Sequence, residues 1–590
     1  MNRTVLRLAT ALTISTAAFG APVVHACDPI ETAEAEGERL RTLMAKSEAA
    51  YLDRNPVAAF YRGDFSDADS LGDFSPASYE TERAAAMCDI AALGTIDRAA
   101  LTAGEQIAYD TFRYSKERVL AGTEPHVLKT ILALPLDHFR GIQGDYPGFS
   151  APDGIMPFDT PKDYANNIAR HAAYSRMVEN VIARFDTGIE QGITLPRLTV
   201  ELMIEQLDTQ LAAPEGENAY YAPLRQFPEG FSEAQKGRAR AALTAAIEGT
   251  LYPAMRHLRA YLSETYLPQA RDTIGATEAP GGEAYYAYRI EEMTTLSLTA
   301  EEIHRLGLSE VARINEARRQ AIAERGDRRP QVYKTKEALQ EAWYEVGRNV
   351  DAAIGPLFLR QPQTPLRIEP YEPYREQFFL AASYRPGEAD GSRPGTFYFS
   401  GWNAAERELS PSVRLYIHEG NPGHHFQIMF AIEDESLPDL LRHGWYTAFG
   451  EGWALYAESL GYELGLYDDP VDRLQALEDG ELKRAVRLVV DTGMHALGWT
   501  REQAVEYMVE NGNPRDYSEN EVARYIAMPG QALGYKIGEL KIKELRARAE
   551  TALGEDFDIR VFHDEVLNSG NIPLAVLEAK IDAWIAAGGQ

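Results

Sequence analysis

Apolar residues recur at helical spacing along most of the chain. Thr299-Ala-Glu-Glu302 has the form of a capping box, and Ile303, Leu306, Val311 and Ile314 follow it. Residues 160–189 repeat the pattern after Thr160-Pro161, a cap followed by a first-turn proline. Residues 235–270 also read as helix. Gly and Pro crowd residues 144–157, which read as a loop. Strand patterning is clearest between Leu366 and Ser400. There, residues 377–384 and 395–400 flank a turn region rich in Gly, Pro and Asp. No internal repeat or long low-complexity linker interrupts this. The pattern predicts a mainly α fold with a small β-hairpin or sheet inserted before residue 400.

Composition narrows the function. Of 590 residues, 59 are Lys or Arg and 89 are Asp or Glu, a net charge of −30. Such a surface repels phosphates, so nucleic acid is excluded as a partner. The 45% hydrophobic content excludes a disordered chain. Arg3 and Arg7 precede an apolar stretch from Leu8 to Val24, and Val24-His25-Ala26 is a small-x-small cleavage site. Residues 1–26 therefore read as a signal peptide and the protein as exported, periplasmic in a bacterium with two membranes. Cys27 would then be the first residue. It is open to lipidation, or to a disulfide with Cys88, the only other cysteine. The poor lipobox favours a soluble product. No other stretch is long and apolar enough to span a membrane.

The chemistry concentrates in His418-Glu419-Gly-Asn-Pro-Gly-His424-His425. Ser410-Pro411 opens a helix that runs into His418 and Glu419. Pro422 must end it, because its ring clashes with the carbonyl four residues back. In an unbroken helix His424 would lie about 9 Å along the axis from His418 and on another face. Neither it nor His425 could then share a metal ion with His418. Opening the helix at Pro422-Gly423 lets His424 swing back. Downstream, Phe449-Gly-Glu451-Gly-Trp-Ala-Leu-Tyr-Ala-Glu458 reads as helix with Glu451 and Glu458 on one face. Two His and one Glu form a catalytic zinc donor set: His418, His424 and Glu451. Glu419 is then the general base and Glu458 the carboxylate that orients a ligand histidine. Manganese, iron or cobalt also suit these donors.

Three blocks carry a resemblance. They are His418-Glu-Gly-Asn-Pro-Gly-His424-His-Phe-Gln427, Glu451-Gly-Trp-Ala-Leu-Tyr-Ala-Glu458 and Pro529-Gly-Gln531-Ala-Leu-Gly-Tyr535-Lys-Ile-Gly538. Together they resemble the DUF885 family, whose members look like exported or lipid-anchored bacterial metallopeptidase-like proteins. More distantly, the order of motifs is similar to the helical zinc peptidases of the thimet oligopeptidase, angiotensin-converting-enzyme and carboxypeptidase Taq groups. That resemblance implies a two-lobed helical body around a deep channel, and one domain over residues 27–590. Its N-terminal helical lobe would cover about 27–365 and its metal-site lobe about 366–590. It also supports the ligand roles of His418, His424 and Glu451. The longer spacer between the histidines leaves His425 as a substitute ligand.

In the related peptidases a downstream Tyr or His stabilises the oxyanion. Tyr535 matches, with Tyr525 and His495 as further candidates. Arg487, Asp491 and His495 follow one another at four-residue intervals along one helix face. They read as a buried network or a substrate-facing wall. Arg487 or Arg524 could bind a substrate carboxylate. Residues 395–400 could present an edge strand to a peptide. The expectation is an exported zinc peptidase for short peptides, with about one ion per chain and an oligomeric state left open. Its alternatives are a hydrolase of another amide or ester, and a metal- or peptide-binding protein without turnover.

Overall fold

A computed structural model describes residues 35–371 and 382–589. The predicted leader, Cys27 and most of the first predicted strand lie outside the described residues. Cys88 is not a free thiol. The molecule is mainly helical, with one three-stranded sheet among the described residues. The predicted caps form. Thr160 accepts from the Asp163 amide at the head of helix Pro161–Gln191, and Thr299 from the Glu302 amide at the head of helix Ala300–Arg325. The predicted helix over 235–270 is divided into Glu233–Ala246 and Tyr252–Tyr261 by a wider π turn at Ile247–Leu251.

Residues 144–157 depart from the expected loop, because Ile142–Ser150 is helical despite Pro147. Ile142, Tyr146 and Phe149 share its buried face. Pro147 cannot bond the Gln143 carbonyl, but the Gln210 side chain donates to that carbonyl at 3.0 Å. Burial and a replacement donor thus override the local helix-breaking signal.

The sheet has the order β1 (Leu366–Pro370), β3 (Gly395–Phe399), β2 (Ser383–Arg385). Strand β3 runs parallel to β1, with Ile368 opposite Phe397, and antiparallel to β2, with Tyr384 opposite Phe397. Being central, β3 offers no free edge to a peptide, contrary to expectation. Its buried Phe397 packs 4.9 Å from Trp343 by ring centroids.

Burial groups the helices around several cores. The largest joins Leu40, Leu43, Leu93 and Phe112 to Trp343, Ile417, Phe426, Trp453 and Ile581. The N-terminal helices therefore pack with the C-terminal third. A second core, including Tyr146, Tyr174, Phe185, Met203 and Leu258, is built from residues 60–270. A third unites Ile314 with Val486, Val489, Val505 and Ile526. Among the described residues no helix is long and apolar enough to cross a membrane.

Candidate metal centre

Helix Val413–Glu419 stops at Gly420, and a second helix, His424–Ile432, starts four residues later. The first begins at Val413 with Ser412 as cap, two residues beyond the expected start. The break falls where Pro422 requires it. Gly423 makes the return possible, since a Cβ there would stand 2.1 Å from the His418 carbonyl oxygen and 2.2 Å from that of Ile417. The Trp453 indole donates to the Pro422 carbonyl at 2.8 Å and ties the turn to helix Thr447–Glu463. The Gln427 amide reaches the Phe449 carbonyl on the same helix at 3.4 Å.

This folding brings His418, His424 and Glu451 together, with one donor atom from each within 4.8 Å of the others. Both histidine Nε2 atoms lie 3.5 Å from Glu451 Oε2. That is long for a hydrogen bond to a carboxylate. It matches the roughly 3.4 Å edge of a tetrahedron with bonds of about 2.1 Å. The spacing and the donor chemistry fit one divalent ion.

The supporting residues set the donors' protonation. His418 Nδ1–H donates to Glu458 Oε1 at 2.8 Å, which leaves Nε2 as the atom facing Glu451 and the one that would bind an ion. Arg414 donates to the same oxygen at 3.2 Å. Burial pushes the His418 imidazolium down, but Glu451, Glu458 and Glu419 outweigh it and hold it up at about 9 with no ion bound. Burial opposes ionisation of Glu451, yet both imidazoles hold its carboxyl well below the usual range. Burial raises the Glu419 carboxyl, a shift opposed by the two histidines. Glu419 thus shares the electrostatic surroundings of the donor set.

Tyr535 stands at the head of helix Gly534–Leu553, which crosses the Glu451 helix at very close range. A Cβ on Gly538 would meet the Ala448 carbonyl oxygen at 1.8 Å, and one on Gly452 would meet the Gly538 Cα at 2.5 Å. Two glycines therefore let the helices touch. Burial and the Glu451 charge raise the Tyr535 phenol, while Arg487 and Arg524 pull it down. The Arg487 guanidinium lies 4.7 Å from the Tyr535 ring centre.

The other expected site residues are elsewhere engaged. His425 turns away from the donor set, with Nδ1 2.9 Å from the Tyr384 hydroxyl and Nε2 3.1 Å from the Thr364 carbonyl. It lines a separate cavity of about 240 Å³ with Asp351 and Tyr416. The substitute-ligand role expected of His425 is thereby corrected. His495 is corrected likewise. Its Nδ1 accepts from the Ala276 amide at 3.1 Å and its Nε2 donates to the Tyr525 carbonyl at 2.9 Å, so no donor remains for an oxyanion.

Asp491 accepts from the Tyr286 hydroxyl at 2.6 Å and from the Gly530 amide at 3.1 Å. Arg487 donates to the Tyr525 hydroxyl and to Glu521, both at 2.9 Å. The predicted ladder therefore bonds outward to other elements instead of along itself. Tyr525 donates to Glu521 at 2.6 Å, and Arg524 donates to Gln531 at 2.8 Å. Trp445 was not anticipated. It is 47% exposed, and its ring lies 5.9 Å from that of His424. Its place just before the acidic helix was the available signal.

The chain belongs to the DUF885 family of bacterial proteins of unknown function, which it matches over residues 56–581. The crystal structure of a candidate lipoprotein from Colwellia psychrerythraea is similar at a TM-score of 0.82 and 27% identity, over 94% of this chain and 100% of that one. A candidate lipoprotein of unknown function from Shewanella oneidensis is similar at 0.69 and 18%, over 92% and 99%, a likeness of fold alone. No curated protein matches the chain.

Proposed function

We propose that this DUF885 protein is an exported zinc-dependent peptidase acting on short peptides. The supporting observation is the convergence of His418, His424 and Glu451 beside a half-buried carboxylate, Glu419. A divalent ion held by those three residues would supply Lewis acidity to a substrate carbonyl and to water. Glu419 takes a proton from the attacking water and returns it to the leaving amine. Burial raises its carboxyl toward the range in which one group can both accept and release a proton. Tyr535, kept as a neutral phenol, donates to the oxygen that gains charge. Glu458 fixes the His418 tautomer, and Trp445 offers an apolar wall beside His424. The leader and the lipoprotein descriptions of the similar structures support export.

The first test is metal content by mass spectrometry, on the wild type and on Glu451→Ala. About one zinc per chain, lost in the variant, is expected. A wild type that takes up no zinc on titration overturns the reading. Glu419→Gln should keep the metal and lose peptide hydrolysis by about 10²-fold or more. Undiminished turnover in that variant would remove the general-base role.

A further inference from the structure

Arg484 and Arg487 lie one turn apart on helix Lys483–Ala496, and both face the Tyr535 ring, Arg484 at 5.9 Å from its centre. Their pairing differs. Arg487 is held by Glu521 and Tyr525. Lys483 pairs with Asp479 at 2.6 Å, and Arg414 with Glu458 at 3.2 Å. Arg484 has no carboxylate within ion-pair distance among the described residues. Among the described residues it donates only to the Asp479 backbone carbonyl, and its Nε is buried without a hydrogen-bond partner there.

A half-buried guanidinium whose Nε is cut off from solvent and which lacks an anion is costly, and arginine does not relieve the cost by giving up its proton at neutral pH. Burial weighs most against this charge. Arg414 and Arg487 repel it, and Glu458 offers partial relief from beyond contact. Its planar fork suits a carboxylate. Tyr535 links this fork to the donor set, because its ring meets Arg484 while its phenol feels the Glu451 charge.

We propose that Arg484 receives the free C-terminal carboxylate of a short peptide, which makes the enzyme an exopeptidase working from the carboxyl end. This rests on the peptidase reading above. Water adds across a bond near that terminus. Its hydroxyl joins the acyl carbon, and its proton goes to the released amine of an amino acid or dipeptide. The same fork could instead take an Asp or Glu side chain, a source the test separates.

The test is equilibrium binding to metal-free, full-length Glu419→Gln protein, read by affinity-selection mass spectrometry. The probes are N-acetyl tripeptide acids, the same peptides as C-terminal amides, and amides carrying an internal Glu or its Gln counterpart. The acids should be retained about tenfold or more over the amides, the gain of a charge-assisted pair. Arg484→Met should erase that preference and Arg484→Lys should restore part of it. Equal retention of acids and amides, or retention of neither, overturns the proposal without any Arg484 variant. A preference for internal Glu over Gln, with no terminal effect, overturns the exopeptidase assignment in favour of acidic side chains. An acid preference in a protein that takes up no zinc leaves the carboxylate site standing and removes the peptidase. Zinc-dependent cleavage of acids and amides at equal KM does the reverse.

Discussion

Glu458 Oε1 accepts from both His418 and Arg414. Removing its charge frees the imidazole to rotate and leaves Arg414 buried without its anion. Glu458→Gln should therefore weaken zinc binding about 10- to 100-fold, measurable by competition with a chelator. Burial sets His495 differently. Desolvation lowers its pKa to about 4, while an unfolded histidine titrates near 6.5. Between those values the unfolded chain binds the extra proton, so His495 favours folding above pH 6.5 and loses that contribution as pH falls through 4. The loss amounts to about 3 kcal/mol. In His495→Gln, stability by urea denaturation should fall less steeply between pH 6.5 and 4, by about one proton's worth of slope. An unchanged slope would show that His495 is not the proton-binding group. The coming together of His418, His424 and Glu451 was legible in the sequence because short spacings and a helix break constrain them. His495, His425 and Tyr525 were misplaced because their partners, Ala276, Thr364 and Arg487, lie on other elements. A polar residue's own position does not reveal whether its hydrogen bonds are already taken.

The acidic helix and the Tyr535 helix meet through Gly452 and Gly538 without intervening side chains. That contact brings the Tyr535 phenol into the field of Glu451. A methyl at Gly538 drives against the Ala448 carbonyl, so Gly538→Ala should cost about 3 kcal/mol by overpacking. It should weaken zinc binding as well, because the Glu451 helix must shift. Gly237 lies in a helix with open space at its Cβ. Gly237→Ala should instead stabilise by about 0.5–1 kcal/mol, and thermal unfolding of the pair separates the two situations. Elements with strong local signals, such as the capped helices at Thr160 and Thr299, could be read directly. Helix Ile142–Ser150 could not, because a Gln210 amide satisfies the carbonyl that Pro147 strands. The central position of β3 was equally hidden, since pairing order depends on β1 and β2 together.

At the scale of the whole molecule, chain order and packing order differ. Leu40, Leu43, Met44, Leu93, Ile96 and Phe112 are buried in the same core as Ile417, Phe426 and Trp453, which flank the donors. No hydrophobic pattern announces which distant helix covers which, so this association was not legible in the sequence. Its energetic weight is large. Burying each such side chain is worth about 1.5–3 kcal/mol, and six of them approach or exceed the whole stability of a typical domain. A chain starting at residue 125 keeps every candidate ligand and most of the second core, yet exposes one side of the core beneath the site. The donor geometry depends on that core, because the Trp453 indole holds the Pro422 turn. The truncated chain should therefore retain helical circular dichroism from residues 160–270, lose cooperative unfolding in its C-terminal part, and bind zinc at least tenfold more weakly than the full chain. Wild-type zinc affinity in the truncated chain would show that the metal-bearing helices fold without their N-terminal cover.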